Sequence, residues 1–272
     1  MSAVTAPVAA TVTASRPGPR FTRTLRAEWI KLWTVRSTFW TVVAMFVLGA
    51  GLTAIVCATS AEWLAGPEAD ESAGSFVTWG LMISQVTAVV LGALVVTSEY
   101  GTGMIRTTLA ATPRRGAVLA AKALVLGVTL FVGGTVTAFV GYLAGNHFLA
   151  AEGIGVGLGD DGVLRSLFGS GLYMAGLGLF AAAVGLLVRH TAAALSAVLA
   201  LVFVVGNMTM LLPGAWGEWL TKLMPGNAGS SIATPVPFNP TLLEPWTGFG
   251  VFLAEVAALL LAAYVALDRR DA

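Results

Sequence analysis

Six apolar runs, separated by short polar passages, set the pattern of this chain: roughly residues 38–60, 76–97, 118–145, 166–188, 193–212 and 248–267. A bilayer core about 30 Å thick needs about 20 apolar residues of helix to cross it. Each run therefore predicts one transmembrane helix, and the pattern as a whole predicts an all-α integral membrane protein. Only Arg189, His190 and Thr191 separate the fourth run from the fifth, which predicts a tight helical hairpin. The expected division is a tail over 1–20, an amphipathic interfacial helix over 21–37, a six-span unit over 38–267 and a second tail over 268–272.

Three shorter segments show helical periodicity outside the spans. In FTRTLRAEWIKLWTVR (21–36), Phe21, Leu25, Trp29, Leu32 and Trp33 share one apolar arc, and Arg20, Arg23, Arg26 and Lys31 cluster opposite. Such a helix lies in the headgroup plane, with Trp at the interface and basic residues reaching anionic lipid. The amphipathicity is imperfect: Ile30 falls on the polar side, and Glu28 and Arg36 border the apolar one. The second segment follows span two. Gly101 and Gly103 permit a turn, Met104, Ile105, Thr108 and Leu109 share one side of a two-turn helix, and Pro113 stops it. Such a helix suits a groove on another protein; the plainer alternative is a basic loop that only fixes topology. The third, over 212–229, spaces Trp216, Trp219, Leu220, Leu223 and Met224 on one helical face between Pro213 and Pro225. It is too short to span and is expected to lie on, or dip into, the outer leaflet as an interfacial helix, with a gate as the alternative.

Composition agrees. Hydrophobic residues make up 57% of the chain and charged ones 11%, with a mean hydropathy of +0.83, well outside globular usage. The charges are polarised along it. Arg16, Arg20, Arg23, Arg26, Lys31, Arg36, Arg106, Arg114, Arg115, Arg189, Arg269 and Arg270 fall on one side of the predicted topology. The other side has Arg165 and Lys222 among nine acids (Glu62, Glu68, Asp70, Glu71, Glu152, Asp160, Asp161, Glu218 and Glu244). By the positive-inside rule both termini are cytoplasmic. Residues 1–20 read as a disordered tail, with a transit peptide as the competing possibility.

Few residues offer chemistry. Lys122 sits about one turn inside span three and is expected to snorkel to the cytoplasmic surface. Glu255 is the one acid assigned to a span interior, either on a substrate path or against a buried polar partner. The two enter from opposite faces, which argues against an ion pair. Cys57 is the lone cysteine, so no disulfide or cysteine metal site is expected. Gly157-Leu158-Gly159-Asp160 matches the GxGD signature of intramembrane aspartyl proteases, but every Asp falls outside the spans and the second carboxylate of the dyad is missing. HExxH and GxxxxGK[ST] are absent, and His147 and His190 fall on opposite sides. A self-contained enzyme is not expected, nor a metal or nucleic-acid site.

Two stretches, AEWIKLWTVRSTFW (27–40) and SEYGTGMIRTTLAATPRRGAVLAAKAL (98–124), resemble those of bacterial type-2 ABC transporter permeases. The second contains the family's E-Y-x-x-G-x-x-R core as Glu99, Tyr100, Gly103 and Arg106. The resemblance implies a permease in the bacterial plasma membrane that exports a drug, peptide, lipid or polymer. It implies a coupling helix over 101–112 seated on a separate ABC ATPase, which binds ATP and Mg, and a second permease chain, identical or different. Glu99, Tyr100, Gly101, Gly103, Met104, Ile105, Arg106, Thr108 and Leu109 become the candidate ATPase interface. Phe21, Leu25, Glu28, Trp29, Leu32 and Trp33 become the interfacial-helix set, facing membrane lipid, and Glu255 the candidate substrate-path residue. The alternatives are a proton-coupled secondary transporter and a non-transporting scaffold or immunity protein.

Overall fold

The computed structural model describes residues 21–111, 114–237, 239 and 241–269, and all regular structure among them is helical. The expected tail over 1–20, Pro113 and the last residues of the expected C-terminal tail lie outside the described residues. Among the described residues six helices are long and apolar enough to cross a membrane, so the chain is a multi-pass helical membrane protein.

The elements follow the apolar pattern closely. Helix α1 (Phe21–Thr34) breaks at Val35 and leads into α2 (Arg36–Ala65). A one-turn helix, α3 (Ala73–Phe76), precedes α4 (Leu81–Gly101). After a turn at Thr102 and Gly103 comes α5 (Met104–Ala111), and then α6 (Arg115–Ala151). The chain returns in α7 (Val163–Val188) and turns at Arg189, whose φ of 58° is left-handed, as a helix C-cap requires. His190 caps the next helix, α8 (Thr191–Leu199), by accepting at Nδ1 from the Ala193 amide at 3.3 Å. The hairpin expected between spans four and five is present.

Span five and the segment that follows it depart from a regular pattern. Span five passes from α8 into a π-helical turn, Ala200–Val205, then a short α9 (Gly206–Met208) and a 3-10 turn, Thr209–Leu211. Within the 212–229 segment the helix expected between Pro213 and Pro225 is present, and a second, short helix follows it. In α10 (Gly214–Leu223) Trp216 is 85% exposed, as an interfacial face requires. Pro225 then opens α11 (Pro225–Ser230), which with the turn Ser231–Ala233 folds back into the bundle; Pro225, Gly226, Ala228, Gly229, Ile232 and Ala233 are buried. The small residues make this possible, since a Cβ on Gly229 would lie 2.6 Å from the Tyr173 ring. Arg165 holds the segment from α7, donating to the carbonyls of Ser231, Ile232, Thr234 and Pro235 at 3.0–3.4 Å. Helix α12 (Pro245–Arg269) completes the set.

Helix α7 is the centre of the bundle, packed by α4, α6 and α12. Its small-residue stripe permits this: a Cβ on Gly92 of α4 would lie 2.1 Å from the Gly178 carbonyl oxygen. The helices meet backbone to backbone there, the close approach that small residues allow in membranes.

Candidate functional site

The ends of α4 and α6 that lie near α1 enclose a buried charge cluster. Helix α1 buries Thr24, Glu28 and Leu32 and packs mainly on α6, leaving Trp29 and Trp33 exposed. Glu28, 4% exposed, accepts through Oε2 from Lys122 Nζ of α6 at 2.7 Å and through Oε1 from Lys31 Nζ at 2.7 Å. Glu99 of α4, 2% exposed, accepts through Oε1 from both lysines, at 2.9 Å from Lys122 and 3.1 Å from Lys31. Lys122 also donates to the Val95 carbonyl at 3.4 Å. Lys31 reaches further, donating to Thr108 Oγ1 of α5 at 3.3 Å. Two acids and two lysines thus join α1, α4, α5 and α6 in a neutral array.

Three expectations change. Lys122 does not snorkel: at 6% exposure it is enclosed, because two carboxylates replace the water its ammonium would otherwise seek. Glu28, expected on the border of the apolar arc, faces the bundle and anchors α1 there. Glu255 is not the only acid within a span, because α4 continues to Gly101 and carries Glu99 into the bundle.

Burial pushes the Glu28 carboxyl up, but the Lys122 and Lys31 ammonium groups outweigh it and hold the carboxyl below its ordinary value. Burial likewise works against the Lys31 charge, and Glu28 and Glu99 reverse it, holding the ammonium above the usual lysine value. A carboxyl held low contributes stability above its unfolded pKa and loses it as pH falls through the folded one; an ammonium held high loses its contribution only as pH rises through its folded value. Docking of α1 is therefore expected to stay constant between about pH 5 and about pH 9 and to loosen in acid. Spin labels at positions 23 and 120 would read this as a fixed α1–α6 distance that lengthens on acidification. A change centred near neutrality would assign control to another group.

The remaining candidate residues separate by position. On α5, Ile105 is buried, Thr108 bonds Lys31, and Met104 and Arg106 are exposed; Leu109 lies on the same helix. Met104 also lines a cavity of about 100 Å³ beside the cluster, shared with Glu28, Lys31, Ser98, Glu99 and Lys122. Among the described residues Glu99 Oε2 has no hydrogen-bond partner. Gly101 ends α4 rather than making the turn, which falls at Thr102 and Gly103, where Gly103 has a φ of +71°. Tyr100 is half-buried and faces its own chain, with the Arg189 guanidinium 5.1 Å from its ring centre. Glu255 is half-buried on α12, with no partner for Oε2 among the described residues.

A scan against protein-family models finds no match to this chain, and a search of curated proteins finds none either. Functional inference therefore rests on the site.

At the other end of the bundle the structure adds a cavity that the apolar pattern does not disclose. It measures about 360 Å³ and is lined by Ser75, Thr78, Gln85, Asn207, Asn227, Ser230 and Thr234, with apolar residues between them. The π-helical turn of span five forms part of its wall through Val202 and Phe203. Its sequence signal is slight: isolated amides and hydroxyls, each tolerable singly in a membrane helix.

The cluster was more nearly legible. A lysine inside span three, an acid ending span two and an acid on the apolar border of α1 all lie near the same predicted membrane face. Charges placed so poorly for solvation require partners of opposite sign.

Proposed function

We propose that this chain is the permease subunit of a bacterial ABC exporter, working with a separate ATPase and a second permease chain. The observation that supports this most is the bond from Lys31 to Thr108, because it ties the short helix α5 into the buried charge cluster. A coupling element must pass displacement at its surface to the spans. Here a push on α5 bears on Lys31, through Lys31 on Glu28 and Glu99, and through these on Lys122. The four charges cannot separate in a low-dielectric setting without large cost, so α1, α4 and α6 move as one body. The exposed side chains of Met104 and Arg106 offer the surface for the ATPase.

In this reading the ATPase binds ATP and Mg, supplies the energy of hydrolysis and lies on the cytoplasmic side with both termini of this chain. The cavity suits a cargo recognised by hydrogen bonding, since among the described residues no ionisable side chain lines it. A second reading, proton-coupled transport, draws support from the unpartnered Oε2 of Glu255.

The deciding experiment is a mild-detergent pull-down of the tagged chain from its native membranes, with mass spectrometry, alongside the variant Arg106→Glu. The parent is expected to retain a P-loop ATPase near equal stoichiometry. The variant inserts normally, because Arg114 and Arg115 still carry the topological signal, and retains at least about tenfold less ATPase, the loss that about 1.4 kcal/mol brings. Equal recovery from both would remove Arg106 from the interface. A chain recovered alone, with transport abolished by Glu255→Gln, would favour the proton-coupled reading.

A further inference from the structure

An apolar groove of about 410 Å³ lies between α1, α2 and α6, with Trp29 and Trp33 at its α1 end, Val43 and Phe46 on one wall and Val132 and Val136 on the other. Two hydroxyls also line it: that of Thr137 is donated to the Gly133 carbonyl at 2.8 Å, and that of Thr129 is buried with no partner among the described residues. Gly133 adds no side chain to the groove, and a Cβ there would lie 2.5 Å from the terminal methyl of Met45.

Length and charge identify the occupant. Along α6 the lining runs from Val128 to Thr137, about 13 Å at 1.5 Å per residue, which nearly matches the ~15 Å of hydrocarbon in one leaflet. A single lipid tail fits that depth. The Trp29–Trp33 pair, ring centres 5.8 Å apart, is suited to headgroup level. Arg26 continues the Trp29/Trp33 stripe of α1, and Arg36 precedes Val43 on one stripe of α2; both are exposed. Neither pairs with an acid among the described residues, because Glu28 faces inward. A spanning helix from a second copy would have to continue past the level of α1, whereas a lipid tail ends there.

We infer that this groove holds one acyl chain of an anionic phospholipid, with the phosphate met by Arg26 and Arg36. The inference needs only the membrane-embedded fold and stands apart from the exporter reading. One leaflet lipid would then brace α1 on its outer face, opposite the buried charge cluster.

The test is native mass spectrometry of the purified, detergent-washed full chain after exposure to vesicles of equal parts phosphatidylglycerol and phosphatidylcholine. The parent is expected to retain one phosphatidylglycerol per chain, favoured at least about tenfold over phosphatidylcholine, in line with two basic residues at the membrane surface. Val132→Trp fills the groove from an exposed position and abolishes retention of both lipids. Val136→Phe, a milder change, lowers it in part and guards against misfolding of the first. Arg26→Glu with Arg36→Glu removes the headgroup preference and leaves a tail bound. Equal retention of the two lipids by the parent, full retention by Val132→Trp, or conversion of a dimer to a monomer by that variant would overturn the assignment.

Discussion

Lys122→Met is expected to destabilise the protein by about 3–5 kcal/mol, the cost of breaking a buried ion pair by removing one partner. The methionine is close to isosteric, so packing changes little. What remains is Glu28 and Glu99, almost fully buried and sharing only Lys31. Repulsion between the two carboxylates then pushes α1 away from α4 and α6. Pairing the change with Glu99→Met should recover much of the loss, because Glu28 and Lys31 are left as a balanced pair. Thermal unfolding followed by fluorescence-detected size exclusion, on the two single variants and the double, gives the coupling directly. A Lys122→Met protein that melted with the parent would mean that the cluster does not hold α1.

Gly92→Val should have an effect of at least about 3 kcal/mol by a different route, overpacking against a surface that cannot yield. A Cβ at position 92 would lie 2.1 Å from the Gly178 carbonyl oxygen, 2.8 Å from its carbonyl carbon and 2.9 Å from its Cα. These are backbone atoms of α7, so no rotamer change relieves the contact and α4 must move away from the central helix. Gly127→Val serves as the control, because a Cβ there meets only a Leu179 methyl at 3.8 Å. The expected readout is loss of the monodisperse peak for Gly92→Val and retention for Gly127→Val. Equal behaviour of the two would show that the α4–α7 contact has slack.

Legibility differed sharply from element to element. Six spans, the hairpin at Arg189 and the two-turn helix at Met104–Ala111 could be read from the chain, because run length and helical period are local properties. The inward turn at Pro225 could not. Its amphipathic neighbour α10 follows the expected pattern, but α11 is built of Pro225, Gly226, Asn227, Ala228, Gly229 and Ser230, which carry almost no hydrophobic signal. Their burial depends on how closely α11 approaches Tyr173 and on the guanidinium of Arg165. The π-helical turn of span five is similarly silent, since Ala200–Val205 reads as ordinary apolar helix.

For the candidate site, the sequence by itself determined that a short helix follows span two, that an amphipathic helix with Glu28 on its apolar border precedes span one, and that Lys122 sits about one turn inside span three. Tertiary structure alone decided their partners. Hydropathy scores Glu28 as a flaw in an apolar arc and Lys122 as a snorkelling end residue, because it treats each side chain against an average medium. A charge in a bundle responds instead to the few ångströms around it: α4 and α6 are set by packing on α7, and α1 docks on α6 and α5 on α4. That packing turns the flaw in α1 into the carboxylate that holds Lys122 of α6 and Lys31, and Lys31 in turn reaches α4 and α5.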